Sequence, residues 1–133
     1  MKNTVLDQLK SLISKKTDRE VLPFRLLDCG IPKGAITEIS GHGKTQFVLS
    51  FLTEHKDLKV AWIEKNFSVN PFGFLQNQVE LNRIVFIEAN EDLEWSIYQT
   101  LRTQSLEVVV IYAEDIPLRT LRRIQLQSEK AQA

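Results

Sequence analysis

The sequence predicts an α/β domain built on a mainly parallel sheet flanked by helices. Three observations lead there. Short runs rich in β-branched residues alternate with amphipathic helical segments along the chain. The run Val60-Ala61-Trp62-Ile63 is almost continuously apolar, as befits a strand covered on both faces. A glycine-rich turn at Gly41-His42-Gly43 separates a short apolar strand pattern from a helix opening at Lys44.

The elements follow in order. In MKNTVLDQLKSLISKK, residues Val5, Leu6, Leu9, Leu12 and Ile13 recur at helical spacing. This predicts an N-terminal amphipathic helix within residues 1–20, ahead of an α/β domain over 21–133. Thr17 to Pro23 breaks the pattern. Leu26, Leu27 and Cys29 are expected in a buried turn of helix or loop, and Gly30, Pro32 and Gly34 in a turn. Ala35–Ile39 predicts a first strand. Lys44 to about His55 predicts a helix that turns Phe47, Val48, Phe51 and Leu52 inward. Leu58–Ile63 predicts the second strand. NFSVNPFGFLQNQ reads as a loop leading into a weak helical turn, and Ile84–Ile87 as the third strand. Asn90 is the expected N-cap of a helix from about Asp92 to Thr103, with Leu93, Trp95, Ile97, Tyr98 and Leu101 on its apolar side. Val108–Tyr112 is the clearest strand, being consecutive β-branched residues and a tyrosine. Pro117 suits the first turn of a last helix, whose apolar members are Leu118, Leu121, Ile124 and Leu126.

Bulk properties bound the function. The 133 residues fit one domain, and 17 basic residues balance 17 acidic ones. No global charge points to a polyanion or a membrane surface. Cys29 is the only cysteine, which excludes an internal disulfide and a cysteine-rich zinc site. The N-terminus lacks the apolar core of a signal peptide, and no apolar run is long enough to span a bilayer. A cytoplasmic location is the expectation.

The stretch ITEISGHGKTQFVLSFL carries the most chemistry. A phosphate-binding loop uses glycines to curl backbone N–H groups around an anion at a helix N-terminus. Its lysine reaches the terminal phosphates, and its hydroxyl holds magnesium. Gly43, Lys44 and Thr45 match the end of that motif, and Gly41 supplies a glycine ahead of it. The motif requires four residues between its first glycine and the Gly-Lys pair, but only His42 separates Gly41 from Gly43. Glu38 stands where the first glycine belongs. The turn therefore reads as a tight strand-to-helix connection with a solvated lysine; weak anion binding at the helix N-terminus is the alternative.

From these residues the chain resembles the RecA family. GIPKGAITEISG…GKTQ is similar to the entrance of the RecA ATPase core, VAWIEKN to its second core strand, and the segment from NPFGFLQ to VVVIY follows the family's order of elements. The resemblance covers about Leu22 to Ala131. Within the superfamily, the LRRIQLQSEKA ending looks most like the ImuA group, accessory proteins of the bacterial damage-induced mutasome. The SulA division inhibitors are a related, degenerate branch.

The resemblance implies a RecA-like core truncated on its C-terminal side. It also implies a non-catalytic interaction protein of the SOS response, with a translesion polymerase complex or RecA as partner. A RecA-like DNA-dependent ATPase using Lys44 and Thr45, and a SulA-like inhibitor of the tubulin-like division protein, are the alternatives. Two departures weigh against catalysis. Where the family carries a water-activating glutamate after the second strand, this chain has Asn66, with Glu64 two residues earlier. Where the Walker B carboxylate ends its strand, this chain has Tyr112, followed by Glu114 and Asp115. Without those carboxylates phosphoryl transfer loses its ion and its oriented water. No cofactor is expected, with ATP and magnesium admitted only if the shortened loop still binds.

Two surfaces carry partner expectations. Arg119, Arg122 and Arg123, with Lys130, read as a solvated helix face or as a weak contact for DNA or a protein. Leu118, Leu121 and Ile124 are expected to contribute to a protein contact, including a homodimer. A sheet without the family's further strands would leave an open edge for pairing. Trp62 and Trp95 are expected in the core. Phe67, Phe72 and Phe74 read either as loop anchors or as an exposed interface.

Overall fold

The structure is a computed structural model that describes residues 19–133; the helix expected around Val5–Ile13 lies outside the described residues. The described residues fall into two compact units that divide between Lys33 and Gly34.

In the first unit, β1 (Val21–Phe24) and β2 (Leu27–Pro32) form an antiparallel hairpin joined by Arg25 and Leu26. The region expected to be a buried turn is thus a hairpin, and Cys29 is exposed. Its register shifts between Leu22 and Phe24, around Pro23, which has no N–H to give to a ladder. Gly30 accommodates that shift at φ +69°. A Cβ there would lie 2.5 Å from Val21 Cγ1 and 2.6 Å from the Leu22 carbonyl oxygen. The Lys33 N–H donates to the Glu20 carbonyl at 2.8 Å, and the two side chains form an ion pair at 3.5 Å.

The second unit holds a three-stranded parallel sheet in the order β4-β3-β5, with β3 Val60–Glu64, β4 Ile84–Glu88 and β5 Val108–Tyr112. Helices α1 (Lys44–Glu54), α2 (Pro71–Gln76), α3 (Leu93–Thr103) and α4 (Leu118–Ala131) flank it. A parallel strand needs a crossover to its neighbour, and the alternating strand and helix pattern supplies one each time. Every residue of β3 is buried, as its apolar run requires. Pleating sends Ala61 and Ile63 to one face, where they pack with Ile97 and Leu101 of α3 and Ile124 of α4. Trp62 goes to the other face. Phe74 of α2 lies edge-on to Trp62 at 5.0 Å and to Phe86 of β4 at 5.3 Å, a preferred aromatic geometry.

α2 begins where Asn70 accepts the Phe72 N–H at 3.0 Å, with Pro71 in its first turn. Asn77 closes it and joins it to α1: its side-chain oxygen accepts from Gln46 at 2.7 Å and its carbonyl from Thr53 at 3.0 Å. The 3-10 turn Leu81–Arg83 then places Arg83 under the end of α1. There its guanidinium donates to the carbonyls of Leu52, His55 and Leu58.

Three expectations are corrected. Ala35–Ile39 is not a strand; no backbone–backbone hydrogen bond ties it to the sheet. Instead the Ile36 N–H donates to Gln125 Oε1 at 3.0 Å, and Gln125 Nε2 donates to the Gly34 carbonyl at 3.2 Å. Asn90 does not cap α3: it takes a left-handed conformation at φ 52°, and Asp92 occupies the N-cap position. Trp95 is 65% exposed. It lies two residues before Ile97, about 200° around the helix from the face that meets the sheet.

Candidate functional site

Topology selects one end of the sheet. α2 packs on the Trp62 face, so the connection from β3 to β4 runs over that face. α3 packs on the Ala61 and Ile63 face, so the connection from β4 back past β3 to β5 runs over the opposite one. α4 follows β5 and also contributes Ile124 to that second face. The loops leaving the carboxyl ends of β3 and β5 therefore diverge, and ligands of open α/β sheets bind at such divergences. In register, Glu64 and Tyr112 are the paired residues at this end.

The glycine turn reaches the same place. Gly41 and Gly43 take φ of +100° and +79°, and Gly43 is the left-handed N-cap of α1. A Cβ added at either glycine meets no heavy atom within 4 Å. Backbone conformation, not crowding, is what selects glycine here. Lys44 is the first residue of α1, Thr45 the second, and the first turn has no acidic residue. A lysine there opposes the helix dipole, an arrangement that calls for a compensating negative group. The neutral ring of Tyr112 takes that place through the quadrupole of its face, its centroid 4.6 Å from Lys44 Nζ.

Glu64 is spent on structure. It is 1% exposed, and its carboxylate accepts from Trp62 Nε1 at 3.2 Å, Ser68 Oγ at 2.6 Å and the Ser68 N–H at 3.3 Å. These bonds fix the start of the loop after β3 and satisfy the one polar atom of the buried indole. Asn66 is exposed in that loop, and Glu114 and Asp115 are exposed beyond the end of β5. Among the described residues, no group of three or more His, Cys, Asp or Glu is placed to hold a metal ion. The structure thus brings Lys44 and Tyr112 together and commits Glu64 to Trp62 and Ser68. Sequence reasoning singled out Tyr112 for its position and had no signal for Ser68.

On α4, Arg119, Arg122 and Arg123 are all exposed, and Arg123 pairs with Glu94 of α3 at 3.4 Å. Leu118 is 64% exposed and Leu121 is half-buried. Ile124, expected at a partner contact, is 2% exposed and belongs to the core. It faces the sheet because α4 packs on α3 through the Thr120 and Ile124 side. Phe74 is a core anchor, while Phe67 and Phe72 are exposed. No described helix is long and apolar enough to cross a membrane. No family model and no curated protein matches this chain.

Proposed function

We propose that this chain is a non-catalytic RecA-like accessory protein that works by binding a protein partner, in the manner of the ImuA group of the bacterial damage response. The supporting observation is the Lys44–Tyr112 contact. In the phosphate-loop mechanism this lysine serves phosphate and the strand-end residue serves magnesium. Here a tyrosine holds the strand-end position and takes the ammonium on its ring. Glu64, the carboxylate at the end of β3, is engaged by Trp62 and Ser68 through three hydrogen bonds.

Isothermal calorimetry with ATP and magnesium tests the reading. Its expected result is no magnesium-dependent binding, either for the native chain or for Lys44→Ala. The variant should stay folded, because a cation–π contact contributes about 0.5–1 kcal/mol. Micromolar magnesium-dependent ATP binding that disappears in Lys44→Ala refutes it. On single-stranded DNA, only weak binding that fades with salt is expected.

A further inference from the structure

The outer surface of the α3–α4 layer carries two halves of opposite character. Along α4, Leu118, Arg122, Leu126 and Lys130 succeed one another every fourth residue, so they form one ridge, and all are exposed. Leu126 is 60% exposed, and Arg119 stands beside the ridge. At the start of α3 stand Glu91, Asp92 and the exposed indole of Trp95. Glu94 joins the halves: it accepts from Arg123 and from Thr120, each at 3.4 Å. That pairing neutralises Glu94 and Arg123, and leaves an acidic corner with an aromatic anchor beside a basic ridge with leucines.

We propose that this surface binds a second copy of the chain. A two-fold axis across the layer sets the acidic corner of each protomer on the basic ridge of the other, with Trp95 seated against Leu126. Two-fold interfaces must be self-complementary, and a patch with both signs meets that requirement. Nucleic acid is the poorer occupant, since phosphates gain nothing from exposed leucines and Glu129 repels them. α4 has 14 residues, so the ridge is about 20 Å long. Such a patch is small for a permanent interface, so the dimer is weak and salt-sensitive. This inference does not depend on the proposed accessory role.

Sedimentation equilibrium of the full chain over two decades of concentration tests it. At about 0.05 M salt the average mass rises from monomer toward dimer, and at about 0.5 M salt the rise is largely lost. Trp95 emission shifts to the blue along with the mass. Arg122→Glu alone, and Glu91→Arg with Asp92→Arg, each weaken association by at least about tenfold through like-charge contacts. Mixed in equal amounts, the two variants associate again, because each interface of the mixed dimer then joins opposite charges. A native chain that stays monomeric throughout, charge reversals without effect, or a mixture that fails to restore association each overturn the proposal.

Discussion

Truncating Arg83 to alanine should remove more stability than its half-buried surface position suggests. Its Nη1 donates to the carbonyls of His55 at 2.8 Å and Leu58 at 3.1 Å, and its Nη2 donates to that of Leu52. These carbonyls end α1 and begin the approach to β3, where the last turn of a helix lacks intrahelical donors; the His55 carbonyl also accepts the Leu58 N–H at 3.4 Å. A hydrogen bond from a charged donor contributes about 1.5–3 kcal/mol, and a cation at a helix C-terminus about 0.3–1 kcal/mol. The contributions do not simply add. Water reaches the carbonyls once the side chain is gone, and the guanidinium itself is desolvated. That desolvation lowers its pKa against the opposing pull of Glu80 and Asp57.

The net expectation for Arg83→Ala is a loss of about 3 kcal/mol. Arg83→Lys should lose about half of that, because an ammonium is too compact to span the same acceptors. Urea unfolding followed by far-ultraviolet circular dichroism reads this as a lower midpoint at unchanged slope. A pKa lowered on folding means the folded chain releases this proton before the unfolded chain does. Any stability linked to it therefore rises only in strongly alkaline solution, and the Arg83→Ala deficit stays constant between about pH 6 and 9. A variant within about 0.5 kcal/mol of the native chain would show that the three carbonyls are satisfied equally well by water.

Two further substitutions probe the buried carboxylate and the hairpin. Glu64→Ala strands the Trp62 indole N–H and the Ser68 donors, and should cost about 2–4 kcal/mol, with Glu64→Gln intermediate; urea unfolding measures both. A native-like midpoint for Glu64→Ala would show that the carboxylate's desolvation cancels its bonds. Gly30→Ala forces a Cβ into Val21 and the Leu22 carbonyl at a positive φ, and should open the hairpin by more than about 2 kcal/mol. Faster proteolysis within residues 21–32 would register this, and an unchanged cleavage rate would count against it.

The sheet strands and major helices were legible because their signals are local and strong. Val108–Tyr112 stands as expected, and the continuous apolar run at Val60 marks the fully buried central strand. Trp95 was expected in the core for being apolar, yet it lies two residues from the buried Ile97 and so on the far side of its helix. The hairpin escaped notice because Pro23 and Gly30 read as breakers, whereas here they accommodate a register shift. At the candidate site, the lysine and the strand-end tyrosine were visible in sequence. Their contact was not, because it joins residues 44 and 112 through the tertiary fold. Arg83 and Gln125 gave no signal for the same reason: each bonds backbone far away in sequence.

The amide of Gln125 has a consequence for the architecture as a whole. In a parallel ladder, one residue donates its N–H to the carbonyl before its partner residue and accepts at its own carbonyl from the N–H after it. Gln125 does both around Ala35, using Gly34 and Ile36. A single side chain thus impersonates a neighbouring strand, and the backbone it greets need not find a real one. The Gly34 carbonyl and the Ile36 N–H are occupied in this way, so these two groups are not offered to the backbone of another chain. Holding an irregular segment in this way requires only one correctly placed carboxamide on a helix that is already there.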